Sequence, residues 1–316
     1  MKKLTTKDVK VPANVPANAK ATYIKNFLTA TKNTGRLMLF AGDQKVEHLN
    51  DDFYGNSDLG PIATDDNNPE HLFRIASKST IGVFAAQYGL ISHYGLDYPN
   101  VPYIVKMNSK SPLVNVDQKD PISTQWVSID QVVELKKNSK LNIAGIGYTI
   151  YLGSEYESDM FREAAQLVVD AHKYGLLTVF WIYPRGKAVK DEKDPHLIAG
   201  ATGVACCLGS DFVKVNYPKK EKSPSEEIFK EAIAAAGRCR VICAGGGSMD
   251  VRSFYNMLYK QIHVSGAMGN ATGRNIHQKS LDDAVRFTNG ISAITLGDHD
   301  VDFAVQVYEG KKKFTM

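Results

Sequence analysis

The sequence predicts an α/β protein of the (β/α)₈, or TIM-barrel, class. Short apolar runs recur along the chain, each ends in polar or glycine-containing sequence, and helical patterns lie between most of them. The 316 residues fit a barrel of about 250 residues once an N-terminal arm and loops are set aside. An open doubly wound sheet would give the same local pattern. The eight predicted strands are Leu37–Ala41, Ile81–Ala85, Tyr103–Met107, Ile143–Ile150, Leu176–Ile182, Phe212–Val215, Arg240–Ala244 and His263–Met268.

The composition excludes several other classes of protein. A 43% hydrophobic and 23% charged chain can bury a large core, and a net charge of +4 gives no case for a nucleic-acid partner. No apolar run approaches the roughly 20 residues of a membrane span, and the N-terminus lacks a signal-peptide core. The four cysteines have no zinc-binding spacing, so we expect reduced thiols in a cytoplasmic protein.

The N-terminal region is predicted to be an arm followed by a helix. Residues 1–18 repeat the motif Val-Pro-Ala-Asn, and their prolines argue against regular helix, so this segment is an arm or an oligomer contact. Asn18 is expected to cap a helix from about Ala19 to Lys32, which Gly35 ends. Because no linker divides the remaining chain, residues 19–316 are expected to form one barrel domain.

Helical patterns between the later strands are clearest at Asp159–Tyr174 and at Ser225–Ala236, where Ser-Glu-Glu follows Pro224. The region Asn50–Asn68 is polar and rich in Asp and Asn, and it is the largest predicted loop. In a TIM barrel the active site lies at the carboxyl ends of the strands. We therefore expect the polar residues that close the strands to converge.

Lys214 interrupts the sixth strand near its carboxyl end. A lysine in a buried strand is costly unless the ammonium is paired or the amine is neutral. A structural lysine in an ion pair, or one that reaches the surface, is the ordinary alternative. The other strand ends favour a reactive amine, because Lys106 closes the third strand and two neighbouring cations lower each other's pKa.

Three further side chains close the first and fifth strands. Asp43 follows the first strand, although an aspartate after a glycine is also a common turn cap. Trp181 and Tyr183 alternate on the fifth strand and therefore face the same way, towards a pocket or towards packing. Glycine-rich loops follow the last two strands, where barrels often bind phosphate through backbone N–H groups. These loops contain Gly245, Gly246, Gly247 and Ser248, and then Gly273 and Arg274.

Taken in order, these pieces resemble the archaeal-type class I fructose-bisphosphate aldolases, which are Schiff-base enzymes related to deoxyribose-phosphate aldolase. The resemblance runs from about residue 35 to 280. Two departures are Asp43-Gln44-Lys45, where many relatives have Asp-His-Gly, and a seventh-strand loop that starts at Ala244 where Ser-Gly-Gly is usual. The matching pieces are Gly42-Asp43-Gln44 with Glu47-His48, Val105-Lys106-Met107-Asn108, Tyr148–Glu155, Trp181–Gly186, Phe212–Lys214, Gly245–Ser248 and Gly273-Arg274-Asn275.

The resemblance implies cleavage and formation of fructose 1,6-bisphosphate without a cofactor or metal, with dihydroxyacetone phosphate and glyceraldehyde 3-phosphate as the other partners. Lys214 would form the Schiff base, and Tyr183 would be the general acid/base, assisted by Lys214 or Lys106. Asp43 would bind substrate hydroxyls and help to dehydrate the carbinolamine, and Trp181 would line the pocket. The substrate would also contact Lys106, Arg185, Gly245, Gly246, Gly247, Ser248, Gly273 and Arg274, with Lys187 and Lys45 as further candidates for the second phosphate. Relatives are typically homo-oligomers, namely decamers.

Two alternatives remain open from the sequence, and two others are disfavoured. The same barrel and lysine serve an aldolase-like enzyme of an aromatic-precursor pathway and a thiolase that acts on a phosphorylated diketone. A phosphosugar-binding protein without chemistry is disfavoured, because a binder would not need Lys214, Tyr183 and Asp43 together. A metal-dependent aldolase is also disfavoured, because the histidines have no ligand spacing.

Overall fold

The computed structural model describes residues 3–113 and 120–316 and contains a closed barrel of eight parallel strands. Each strand pairs with its neighbours in sequence order, and the first pairs with the last, so the predicted (β/α)₈ fold is confirmed. The strands are β1 Leu37–Ala41, β2 Val83–Gln87, β3 Tyr103–Lys106, β4 Ile143–Leu152, β5 Leu177–Pro184, β6 Phe212–Val215, β7 Arg240–Ala244 and β8 Gly269–Thr272.

Two apolar layers follow from the alternation of side chains along the strands. Leu39, Val179 and Phe212 belong to a cluster inside the barrel, whereas Phe40 and Val213 belong to the larger cluster between the strands and the surrounding helices. Because the strands are buried on both sides, most of them read as nearly continuous apolar sequence, and β8 is the exception. Helices cover the outside of the barrel.

The α-helices are α1 Lys20–Ala30, α2 Gln44–Glu47, α3 Glu70–Lys78, α4 Tyr88–Tyr94, α5 Ile129–Ser139, α6 Glu157–Lys173, α7 Pro195–Leu208, α8 Ser225–Ile228, α9 Lys230–Ala235, α10 Val251–His263, α11 Arg274–His277, α12 Leu281–Thr295 and α13 Val301–Tyr308. In the part of the chain that the structure describes, none of these helices is long and apolar enough to cross a membrane.

The N-terminal region packs against the amino ends of the strands. Tyr23 and Phe27 of α1 are buried in the inner cluster, and Val15 of the predicted arm joins them. The Tyr23 hydroxyl donates to Asp211, just before β6. Asn18 was the wrong cap: it lies in a 3₁₀ turn, Ala17–Ala19, and the cap residue is Ala19, whose methyl side chain cannot accept a hydrogen bond. The first two residues of the arm lie outside the described residues.

The prediction of the eighth strand was wrong. His263 ends α10, and the strand is Gly269–Thr272, which has little apolar character. Its buried polar groups are paired instead: Asn270 Nδ2 donates to Thr272 Oγ1 at 2.9 Å, and Thr295 Oγ1 donates to Asn270 Oδ1 at 2.9 Å. The apolar pattern therefore placed the predicted strand in the residues before Gly269.

The predicted long loop Asn50–Asn68 contains short elements of its own. Asn56–Ser57 and Gly60–Pro61 form a two-stranded antiparallel sheet, and Thr64–Asn67 forms a 3₁₀ turn. Asp66 is fully buried and accepts a hydrogen bond of 2.7 Å from Nδ1 of His277, whose ring stacks on Phe53 at 4.5 Å. This contact anchors the loop on α11, the helix that begins at Arg274.

Candidate active site

A cavity of about 180 Å³ opens at the carboxyl ends of the strands, around the amine of Lys214. The loops after β1, β5, β6, β7 and β8 supply its wall, as the barrel geometry requires. Its lining residues are Gln44, Glu47, His48, Tyr183, Arg185, Lys214, Asn216, Ala244, Gly245, Gly246, Ala271, Gly273, Arg274 and Asn275.

Lys214 is buried near the end of β6, and its amine is close to Trp181. Lys214 and Trp181 are register partners on β6 and β5, and Nζ lies 5.6 Å from the Trp181 ring centroid. Within residues 3–113 and 120–316, no side chain or carbonyl accepts a hydrogen bond from Nζ. Burial lowers the pKa of Lys214, and Lys106 and Arg274 act in the same direction, whereas Asp43 and Glu47 oppose it.

Lys106 does not line the cavity and is held by several partners. Its Nζ donates to Thr149 Oγ1 at 2.6 Å and to the Asn108 carbonyl at 3.1 Å. The same atom is 3.5 Å from Asp43 Oδ2 and 5.0 Å from the Trp181 ring centroid. Trp181 is fully buried, and both ammonium groups lie over its ring. Contrary to the prediction, it does not line the cavity.

Glu47 lies on the short helix α2 and contributes a carboxyl group to the cavity wall. Its Oε1 is buried without a hydrogen-bond partner among the described residues, and Lys106 Nζ is 3.8 Å away. Burial raises the pKa of Glu47, and the neighbouring Asp43 raises it further, while Lys106, Lys214 and Arg185 lower it. Glu47 therefore retains its proton more readily than an ordinary glutamate.

Tyr183 lines the cavity and faces the barrel mouth, two residues after Trp181 on β5. Burial raises the pKa of its phenol well above the usual value, and Glu47 and Asp43 add to this effect. The cation against its ring is Arg185, at 5.8 Å, which lowers the pKa. Lys214 or Lys106 was predicted to assist Tyr183. In the structure the cation against its ring is Arg185, which follows Tyr183 by two residues.

The glycine loops contribute to the cavity in part. Gly245, Gly246, Gly273 and Arg274 line it, whereas Gly247 and Ser248, which were also predicted, lie outside the lining. Gly246 has φ +71°, a conformation that favours glycine. A Cβ on Gly273 would lie 2.8 Å from the backbone carbonyl oxygen of Ala41, so the close approach of the chain after β8 to the end of β1 requires glycine there.

The basic residues predicted for the second phosphate differ in their surroundings. Arg185 lines the cavity, but its guanidinium donates to both carboxylate oxygens of Glu192, at 2.6 and 2.7 Å. Lys187 is exposed and lies 3.4 Å from Asp120, and Lys45 stacks on Phe53 at 4.1 Å. Neither lysine lines the cavity.

Sequence reasoning missed several polar residues of the wall. Asn216 follows Lys214 by two residues, so strand alternation could have identified it. Asn275 had a less visible signal: its amide donates to the Gly247 carbonyl at 3.0 Å and accepts from Met249 N at 3.2 Å, which fixes the loop after β7. Gln44 and His48 complete this set. The described residues contain no group of three or more side chains suited to hold a metal ion.

Comparison with known proteins agrees with this geometry. Residues 37–279 match the model of the DeoC/LacD family aldolases. The chain is 58% identical to a Methanocaldococcus jannaschii protein over 99% of this chain and 98% of the relative, which is named fructose-bisphosphate aldolase/6-deoxy-5-ketofructose 1-phosphate synthase. It is 31% identical to a class 1 fructose-bisphosphate aldolase of Thermoproteus tenax, over 88% of this chain and 96% of the relative.

Solved structures give the same result. A fructose-bisphosphate aldolase from Slackia heliotrinireducens is 56% identical and superposes with a TM-score of 0.96, over 100% of this chain and 98% of that one. An archaeal fructose-1,6-bisphosphate aldolase, with its catalytic lysine bound to the carbinolamine intermediate, is 30% identical with a TM-score of 0.74 and covers 86% and 99% of the two chains. The predicted resemblance is thereby confirmed, and the chain belongs to the DeoC/LacD family of aldolases.

Proposed function

We propose that this chain is a class I fructose-bisphosphate aldolase that uses Lys214 as its Schiff-base nucleophile. The observation that carries the proposal is the buried Lys214 amine, which has a lowered pKa and opens into the same cavity as Tyr183. Desolvation makes a neutral, nucleophilic amine available near neutral pH. An arginine, or a lysine in a tight ion pair, would not serve this purpose.

The neutral amine attacks C2 of the ketose, and loss of water from the carbinolamine leaves an iminium cation. The iminium accepts the electron pair that is released when the C3–C4 bond breaks, and an enamine forms, so the chemistry requires no metal. Asp43 and Lys106 form an ion pair at 3.5 Å, and both charges act on the Lys214 amine. Through its charge, Asp43 assists dehydration.

Tyr183 handles the proton at the C4 hydroxyl. Since its pKa is raised, the phenol is protonated in the free enzyme and is set to donate in the direction of bond formation. In cleavage the iminium adds a positive charge to the cavity, which together with Arg185 favours loss of the phenol proton to water, and the resulting phenolate accepts the C4 hydroxyl proton. The same oxygen then returns the proton to the enamine carbon.

The phosphate next to the Schiff base lies against Gly246, Gly273 and Arg274 in this proposal, because open backbone N–H groups and a guanidinium suit an anion. The second phosphate lies towards Arg185. Glu192 accepts from Nε and Nη2 of that guanidinium, so the phosphate would share Arg185 with Glu192 through Nη1.

Cleavage of fructose 1,6-bisphosphate by the purified protein, with coupled detection of glyceraldehyde 3-phosphate, tests this function. Lys214→Met should abolish cleavage while the protein stays folded, since methionine is apolar and of similar length. Lys230→Met, at an exposed position that pairs with Glu227, is the matched control and should retain full activity. Absence of cleavage by the unmodified protein would contradict the proposal.

We further propose that the enzyme works in the cytoplasm as a homo-oligomer, with the decamer of its relatives as the expected assembly. All four cysteines are free thiols, which suits a reducing compartment. Exposed apolar side chains such as Leu96 and Tyr54 offer surface for contacts between subunits. Light scattering on the eluting peak of a gel-filtration column would measure the assembly.

A further inference from the structure

Glu47 has a place in the cavity that the steps above do not explain. It is one of the residues that line the cavity together with Lys214 and Tyr183. Its Oε1 is buried, and within the described residues this atom has an ammonium neighbour at 3.8 Å but no hydrogen bond. A buried carboxyl oxygen without a hydrogen bond is unfavourable, so this arrangement requires a reason.

We propose that Glu47 is the catalytic acid that donates the proton to the C2 hydroxyl of the carbinolamine on Lys214. The inference rests on the proposed Schiff-base function and assigns one step within it. The Glu47 carboxylic acid protonates the hydroxyl, the C2–O bond breaks, and water leaves. The nitrogen lone pair forms the C=N bond, so a neutral pair becomes an iminium cation and a Glu47 carboxylate.

The surroundings of Glu47 suit both ends of this step. Burial and the negative charge of Asp43 raise its pKa, so a proton is held before the reaction. After the step, the new carboxylate faces the iminium cation and the nearby ammonium of Lys106. The charged and titratable groups that interact with Glu47 are Asp43, Lys106, Lys110, Tyr151, Tyr183, Arg185 and Lys214.

Two other groups are less suited to donate this proton. Asp43 is 2% exposed, is paired with Lys106 at 3.5 Å, and does not line the cavity. Its contribution to dehydration is therefore electrostatic, because its charge keeps Glu47 protonated. Tyr183 lines the cavity, but a phenol whose pKa is raised above its usual value is a much weaker acid than a carboxylic acid.

The rate of iminium formation tests the proposal. Each protein is mixed with excess fructose 1,6-bisphosphate, quenched with borohydride at timed intervals, and analysed by mass spectrometry for reduced adduct on Lys214. Glu47→Gln keeps the size of the side chain but cannot donate a carboxylic proton. We expect about 10²–10⁴-fold slower adduct formation, the range typical of a general acid. Glu227→Gln, an exposed glutamate paired with Lys230, is the matched control and should match the unmodified protein.

A second variant separates proton donation from a structural role. Glu47→Ala leaves room for a small carboxylic acid, so added formate should restore much of the lost trapping rate. Trapping by Glu47→Gln at the unmodified rate would overturn the proposal, and so would slow trapping in Glu47→Ala that formate does not recover. If the unmodified protein forms no adduct on Lys214, the proposed function itself fails, which is a distinguishable result.

Discussion

Replacement of Lys106 by methionine tests whether the second lysine keeps the Lys214 amine reactive. Both ammonium groups lie near Trp181, at 5.0 and 5.6 Å from its ring centroid. At the resulting maximum separation of about 11 Å, Coulomb's law with an effective dielectric constant of about 20 gives about 1.5 kcal/mol of repulsion. Loss of this repulsion should reduce the neutral fraction of the amine about tenfold wherever Lys214 is mostly protonated.

The sign of the pH effect follows from the same charges. Lys106 lowers the pKa of Lys214, so Lys106→Met should raise that pKa. In a plot of borohydride-trapping rate against pH, the ascending limb should therefore move to higher pH. Trapping rates measured across pH, with circular dichroism to establish folding, would reveal the shift. Lys279→Met removes another lysine stacked on an aromatic ring, Phe287 at 5.0 Å, and should leave the limb in place. An unchanged limb in Lys106→Met, or one at lower pH, would refute the reasoning.

Three further predictions address the proton carrier, the phosphate site and the absence of a metal requirement. Tyr183→Phe should lower turnover by about 10²–10⁴-fold yet still allow trapping on Lys214, and near-normal turnover would place the proton carrier elsewhere. Gly246→Ala should raise KM for the sugar phosphate, while Gly55→Ala, with a similar positive φ of +94° in a remote loop, controls for backbone strain and should leave KM unchanged. Prolonged treatment with a chelator should leave activity intact, because the iminium is the electron sink; loss that zinc restores would contradict the class I chemistry.

The barrel could be predicted because its strands are buried on both sides. Leu37–Ala41, Phe212–Val215 and Arg240–Ala244 have the predicted bounds, since their apolar runs coincide with the paired residues. The eighth strand could not be found in this way. Gly269–Thr272 satisfies its polar groups through Thr295, a partner distant in sequence that no local pattern reveals.

The candidate site was predictable where a side chain directly closes a strand. Lys214, Lys106 and Tyr183 fall in this group, because the barrel fixes where strand ends point. The partners of each charge were not predictable from the sequence. Arg185 is held by Glu192 seven residues later, and Oε1 of Glu47 becomes buried where α2 places it 3.8 Å from Lys106 Nζ. Such contacts depend on loop conformation, which alternation along a strand does not determine.

Trapping with borohydride tests directly whether Lys214 forms the covalent bond with the substrate. Incubation with dihydroxyacetone phosphate and borohydride reduces the iminium to a stable secondary amine, and mass spectrometry of the digested protein locates it. We expect a reduced triose phosphate adduct on the peptide that contains Lys214. An adduct on Lys106 instead, or no adduct while the protein still cleaves fructose 1,6-bisphosphate, would contradict it.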